Sequence, residues 1–187
     1  MIARTVRRAL LGILLTAPGI PTTQASDAPF EFTPPAPLAA TGVQRARLGN
    51  THTYLAADAG RTPRLTITTM PAAEIDAHFG ALSGTRCINL FLGELERTHA
   101  RFFVASQMRP LTVAGHELTQ FRWTGEKAST TLTGVLSCGR LGAHYFVFDF
   151  VDELAAATGS FPHIRASLRA LIVRDRANRP APTAFAE

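Results

Sequence analysis

An aspartate lies inside the most apolar stretch of the chain, and its carboxyl group is the first candidate for chemistry. Asp149 belongs to the run His144–Val151, in which tyrosine, valine and phenylalanine predominate. A carboxylate in such surroundings is costly to ionise unless it is paired, and a carboxyl group with a raised pKa can act as a general acid or base. The sequence favours a structural role, in which Asp149 pairs with an arginine such as Arg122 or lies exposed near a sheet edge.

Histidines are the second group that could supply a catalytic base or metal ligands. No two of them are three or four residues apart, so the helical type of metal-binding pair is absent. His116 and Glu117 are neighbours, but adjacent side chains of a strand point to opposite faces and cannot form a dyad. A site assembled in space from Asp149 and one or two histidines remains an alternative. The six histidines are His52, His78, His99, His116, His144 and His163.

The common catalytic and cofactor motifs are missing from the sequence. It contains no GxSxG, no Walker loop, no GxGxxG and no paired zinc knuckles. Neither Ser83-Gly84 nor Ser137-Cys138-Gly139 has the strand-turn-helix context of a nucleophile elbow. The sequence therefore predicts no catalytic residue, no cofactor and no metal ligand.

A predicted β-hairpin over Ser129–Val151 would position Asp149. Its first strand alternates, with Leu132, Leu136 and Cys138 on one face. Gly139-Arg140-Leu141-Gly142 is predicted to form the turn, because glycine adopts a positive φ at little cost. The return strand, His144–Val151, is apolar on nearly both faces and should lie in the middle of a sheet covered on both sides.

Helices that could cover this sheet are predicted on both sides of the hairpin in the sequence. Pro71 begins the first helix, and Thr85–Arg97 forms the second, with a strand at Ile88–Leu92 as the alternative. The last helix begins near Ser160, and its apolar stripe should face a sheet. Further strands are predicted at His52–Ala56, Arg64–Thr69, Arg101–Met108 and His116–Trp123.

The two ends of the chain are predicted to lie outside the folded domain. Residues 1–25 resemble a signal peptide with a basic start, the short apolar run Ala9–Ala17 and cleavage after Ala25. The apolar run is too short to span a bilayer. Residues 26–173 would form one domain, with Phe30 and Phe32 pairing at a sheet edge, and residues 174–187 a disordered tail. The mature protein would then be periplasmic or secreted.

Two cysteines follow the predicted signal, Cys87 and Cys138. An exported chain with an even number of cysteines favours one disulfide between them. A reactive thiol would need an activating neighbour, and neither cysteine lies in a CxxC motif or beside a histidine. The sequence therefore predicts that a disulfide joins the second helix to the first hairpin strand.

The charge of the chain indicates no particular partner. The full sequence has a net charge of +5, and removal of residues 1–25 leaves 16 basic and 14 acidic residues. The arginines are scattered, apart from Arg174, Arg176 and Arg179, whose spacing is typical of a solvated tail. We therefore expect no nucleic-acid partner and no membrane span in the mature chain.

Four segments resemble the PsbP-like family, which includes the Ran-guanine-nucleotide-release-factor proteins. They are Pro29–Phe32, Leu111–His116, His144–Phe150 and Phe161–Leu168. The resemblance covers about Phe30 to Leu171 and rests on structural motifs. It implies an α+β fold in which an antiparallel β-sheet is covered by helices on both faces, an α/β/α sandwich. It also implies a non-enzymatic binding or assembly role, but no functional residue of the family is matched here.

The sequence thus favours an exported, non-enzymatic binding or assembly protein of the bacterial envelope. Its partner would be another envelope or periplasmic protein, and one version of this role is an inhibitor or immunity protein. Two alternatives stay open. The first is a hydrolase with the Asp149 and histidine site, and the second is a carrier of a small ligand or lipid, which needs an apolar cavity between sheet and helices.

Overall fold

The computed structural model describes residues 28–46, 48–56 and 62–174. The predicted signal peptide, residues 1–25, lies outside this part of the chain. The same is true of the predicted tail except for Arg174.

Ten strands and three helices form from the described residues, and antiparallel pairing joins all of the strands. In chain order they are β1 (Phe30–Glu31), β2 (Leu38–Ala46), β3 (Gly49–Ala56), β4 (Arg64–Pro71), α1 (Ala72–Phe79), α2 (Gly84–Thr98), β5 (Ala100–Val104), β6 (Arg109–Val113), β7 (His116–Lys127), β8 (Thr130–Leu141), β9 (His144–Glu153), α3 (Ala157–Arg169) and β10 (Ile172–Val173).

The large sheet has the strand order β2-β3-β4-β9-β8-β7-β5, and β6 also pairs with β7. Strand β9 lies between β4 and β8, which confirms the interior position predicted from its two apolar faces. A separate pair, β1 with β10, brings Phe30 opposite Val173. The predicted pairing is therefore confirmed for Phe30 in this small sheet, whereas Phe32 lies outside β1 and was wrongly assigned to it.

Helices cover both faces of the sheet, so the predicted α+β sandwich is confirmed. Helices α1 and α2 pack on one face, against β4, β9, β8, β7 and β5, whereas α3 packs on the other, against β9 and β6. Alternate residues of β9 separate the two cores. Phe146, Phe148 and Phe150 belong to the core under α3, which we call the phenylalanine core. Tyr145 and Val147 belong with Trp123 to the core under α1 and α2, which we call the tryptophan core.

The turn of the central hairpin lies further along the chain than its glycines indicated. Strand β8 continues to Leu141, and Gly142-Ala143 form the turn, with Gly142 at φ 58°. Gly139 lies within β8, where an added Cβ would come within 3.0 Å of the Leu118 side chain of β7. The first glycine thus permits close packing between strands instead of a reversal of the chain.

Two predicted boundaries, those of β2 and α3, were wrong, whereas the predicted second helix was confirmed against its strand alternative. The sequence indicates no strand at Leu38–Ala46, but this segment pairs with β3 through a bulge between Ala40 and Gly42. Helix α3 begins at Ala157, before the predicted cap at Ser160. Ile88–Leu92 is helical within α2, whose N-cap Ser83 accepts a hydrogen bond from the Arg86 N–H.

Candidate functional site

Asp149 lies on the face of β9 that packs into the tryptophan core, together with Tyr145 and Val147. Its side chain is only 16% exposed, and its nearest cation is Arg64 of β4, with Nη2 3.8 Å from Oδ2. The predicted partner, Arg122, pairs with Val135, and Val135 pairs with Phe150 on the next strand. Since residues paired in this way point to the same face, Arg122 lies beside the phenylalanine core, on the face of the sheet opposite Asp149. The expectation of an ion pair is met by Arg64, and the choice of Arg122 was wrong.

The indole of Trp123 covers the approach to Asp149 from β7. A Cβ at Gly134, the residue opposite Trp123, would lie 2.5 to 2.6 Å from three indole atoms, so the ring lies directly across Gly134. Trp123 Nε1 and Asp149 Oδ1 are both buried, and neither forms a hydrogen bond within the described part of the chain. Burial raises the pKa of Asp149 to about 6, and the Arg64 guanidinium and the Trp123 N–H partly oppose that increase.

The histidines do not converge on Asp149. His99 is buried against the Trp123 ring, with the ring centroids 4.7 Å apart, so the indole separates this histidine from the carboxyl group. His52 contacts Phe30 on the other face of the sheet. His116 and His163 are exposed on β7 and α3. Among residues 28–46, 48–56 and 62–174, no three His, Cys, Asp or Glu side chains are grouped to hold a metal ion.

Cys87 and Cys138 are placed as the sequence predicted, on α2 and on β8. Their Cα atoms are 5.8 Å apart, within the range of disulfides, and both residues are fully buried in the tryptophan core. A bond here would fasten α2 across the sheet. The disulfide itself remains a prediction.

A groove with a cationic lining opens on the α3 face of the sheet, and we call it the arginine groove. It is formed by two adjoining clefts of about 580 and 370 Å³, which share Ala105, Arg122 and Arg165. Among the described residues, no aspartate or glutamate lines either cleft. The four arginines that line the groove are Arg109, Arg122, Arg165 and Arg169.

Strand register and helix periodicity bring these arginines together. Arg109 of β6 pairs with Gln120 of β7, and Arg122 is two residues further along the same strand, so both point to the same face. Arg165 and Arg169 are one helical turn apart on α3. Strand residues therefore form the floor of the groove and α3 forms one wall.

The groove arginines differ from most other described arginines in lacking a carboxylate partner. Five of the eleven described arginines form ion pairs, namely Arg64, Arg97, Arg101, Arg140 and Arg174. The four groove arginines form none with any described residue. Arg122 instead lies over the Phe161 ring, with Cζ 4.8 Å from its centroid. This cation–π contact orients the guanidinium and leaves its N–H groups able to bind an anion.

The interpretation of the arginines as scattered missed this site. Three of the four are far apart in the sequence, and only the fold joins them. Two local signals were present: the i, i+4 spacing of Arg165 and Arg169, and the position of Arg122 between the apolar residues Phe121 and Trp123. Each signal alone is compatible with a solvated surface.

An apolar cavity beneath the groove bears on the carrier alternative. It lies between α3 and the sheet, is lined in part by Phe148, Phe150 and Leu168, and has a volume of about 30 Å³. Pockets that enclose small ligands typically hold several hundred Å³. This cavity is too small for a lipid chain, so a ligand would have to lie in the open groove above it.

No helix in the described part of the chain is both long and apolar enough to cross a membrane. No protein-family model matches the sequence, and curated protein sequences give no match either.

Solved structures do resemble the chain. A crystal structure from Bacteroides thetaiotaomicron VPI-5482 has a TM-score of 0.52 at 12% identity and covers 81% of this chain, which spans about half (47%) of that longer protein. LpqN of Mycobacterium tuberculosis, described as involved in cell envelope biogenesis, has a TM-score of 0.50 at 12% identity, covering 78% of this chain and 83% of LpqN.

The PsbP protein CyanoP of Synechocystis sp. PCC 6803 also has a TM-score of 0.50, at 10% identity, covering 78% of this chain and 86% of CyanoP. Identities this low establish similarity of fold and nothing finer. The antiparallel sheet, its two helical layers and these neighbours agree with the resemblance seen in the sequence, and the chain has a PsbP-like fold.

Proposed function

We propose that the protein is a non-enzymatic binding protein of the bacterial envelope and that the arginine groove is its binding site. The observation that carries the proposal is the collection, in one groove, of four arginines that have no carboxylate partner among the described residues. Uncompensated charge of one sign in a concave surface raises the local concentration of ligands of the opposite sign. The ligand is therefore anionic.

The envelope location is supported by three observations. The sequence begins with a segment that resembles a signal peptide. Cys87 and Cys138 lie at a distance suited to a disulfide, and such bonds persist in oxidising compartments. A neighbour of similar fold, LpqN, is described as involved in envelope biogenesis.

A hydrolytic function has less support. Asp149 is beside Arg64 in the tryptophan core, and it lines neither the groove nor the apolar cavity. Among the described residues it belongs to no cluster of three or more His, Cys, Asp or Glu side chains that could hold a metal ion. The raised pKa of Asp149 is explained by burial, which does not require a catalytic role.

An affinity experiment with envelope extract tests the proposal. The chain from residue 26 is immobilised as wild type, as the groove variant R122E/R165E and as the control R45E/R86E. Both double variants reverse two positive charges, but Arg45 and Arg86 lie outside the groove and form no ion pair with described residues. Circular dichroism and thermal melting establish that all three proteins are folded.

We expect one or more proteins to be retained by the wild type and by the control and to be lost from the groove variant. Retention should also weaken as the salt concentration rises, because the attraction is between charges. Identical sets of retained proteins on wild type and groove variant would contradict the assignment of the groove as the binding site.

A further inference from the structure

We propose that the arginine groove receives an extended acidic segment of a partner protein, with an apolar side chain of that segment against the neighbouring rim of β5. This inference rests on the proposed function and names the class of its ligand. Charge, spacing and the composition of the rim each support it.

The charge of the groove requires several negative groups. Carboxylates and arginines form bidentate hydrogen bonds, and Arg122 and Arg165 line both clefts of the groove. Arg109 lies at one end, in the smaller cleft, and Arg169 lies at the other, in the larger. Because Arg109 and Arg169 line different clefts, a ligand that uses the whole groove carries acidic groups along its length.

The spacing of the arginines suits an extended chain. Arg165 and Arg169 are one turn apart on α3, about 6 Å. Arg109 is opposite Gln120, and Arg122 is two residues further along β7, so their Cα atoms are roughly 7 to 8 Å apart. Side chains on one face of an extended segment recur about every 6.6 Å. Acidic residues at alternate positions would therefore meet successive arginines.

The rim of the groove has the composition of a protein interface. Two large apolar side chains that are exposed in the described chain flank residues 105–107, which line the groove: Phe103 is 56% exposed and Met108 40%. Phe103 pairs with Thr124, a residue that lines the larger cleft, so both point to the groove face. Arginine, aromatic residues and methionine are enriched at protein interfaces. A small inorganic anion would make no use of this apolar rim.

A binding experiment with synthetic peptides tests the inference. The probe is a fluorescein-labelled peptide of ten residues with glutamate at alternate positions and leucine or phenylalanine between some of them. Its matched control replaces every glutamate with glutamine. Fluorescence anisotropy measures the Kd for the wild type, for R122A/R165A and F103S, and for the control R45A/R86A. Orthophosphate and a single-stranded oligonucleotide serve as competitors.

We expect the acidic peptide to bind the wild type and the control R45A/R86A equally. R122A/R165A should weaken binding by about tenfold or more, since two charged contacts are lost, and F103S should weaken it by a few fold. The glutamine peptide should not bind measurably. Orthophosphate should displace the peptide only at concentrations far above the peptide Kd.

The other outcomes each overturn the inference in a recognisable way. If orthophosphate binds as tightly as the peptide, the groove takes a small anion. If the oligonucleotide binds more tightly than the peptide, the ligand is a nucleic acid. If the acidic peptide fails to bind while retention from envelope extract still depends on Arg122 and Arg165, the acidic segment is refuted and the proposed function stands. If that dependence is also missing, the proposed function fails as well.

Discussion

Replacement of Asp149 by asparagine should stabilise the protein at neutral and alkaline pH. The carboxyl group lies in the tryptophan core with its cation, Arg64 Nη2, at 3.8 Å, and no described residue donates a hydrogen bond to Oδ1. Asparagine has nearly the same shape and carries no charge. The substitution therefore removes the cost of burying an ionised group while it leaves the packing around Trp123 intact.

The magnitude follows from the pKa of Asp149, about 6 in the folded chain against the ordinary value of 3.8. Between these values the folded chain holds more protons than the unfolded chain, so the free energy of unfolding falls as the pH rises. Above pH 6 the free energy of unfolding has fallen by about 3 kcal/mol in total. Loss of the contact with Arg64, which is 36% exposed and can remain hydrated, offsets up to about 1 kcal/mol of the gain. Asp149→Asn should thus raise stability by about 2 kcal/mol at pH 8 and change it little at pH 4.

Urea denaturation at pH 4, 5, 6, 7 and 8 measures the effect, and the ¹³Cγ resonance of Asp149 should titrate with a midpoint near 6. Glu117→Gln, which neutralises an exposed carboxylate on β7, controls for general effects of charge. A variant less stable than the wild type at pH 8 would show that the ion pair with Arg64 outweighs desolvation. A difference independent of pH would show that ionisation of Asp149 plays no part.

Three further predictions concern the remaining structural claims. Thiol titration of the denatured, unreduced protein should detect neither Cys87 nor Cys138, and reduction should lower stability by up to about 4 kcal/mol without loss of the fold; two titratable thiols would disprove the bond. Gly134→Ala should lower the free energy of unfolding by about 1–3 kcal/mol in urea denaturation, because its Cβ would collide with the Trp123 indole. The control Gly93→Ala, in open space on α2, should leave stability unchanged or raise it by up to about 1 kcal/mol. Equal effects of the two substitutions would show that the indole does not lie across Gly134. Mass spectrometry of the exported protein should find Ser26 at the N-terminus, and an intact initiator methionine would contradict cleavage.

Local periodicity in the sequence was enough to predict most of the elements. The two apolar faces of His144–Val151 gave the interior position of β9, and the alternation of Leu132, Leu136 and Cys138 gave the face of β8 that turns to α2. These inferences hold because the side-chain period of a strand depends only on the backbone. The second helix also followed from its own apolar stripe.

Pairing register was beyond the reach of the sequence, and it decided the surroundings of Asp149. Arg122 pairs with Val135, and Val135 pairs with Phe150, so Arg122 lies on the face opposite Asp149. A shift of one residue would have exchanged these faces. Only the adjacency of β4 and β9 supplies Arg64 as the partner.

The arginine groove likewise exists only in the tertiary structure. Arg109 and Arg122 reach one face through the pairing of β6 with β7, and Arg165 and Arg169 reach it through the packing of α3 on β9 and β6. In the sequence they are separate charges of the kind that usually face solvent. The sequence alone determined which residues are charged and which faces are apolar, whereas long-range strand pairing and helix packing decided which charges share a surface.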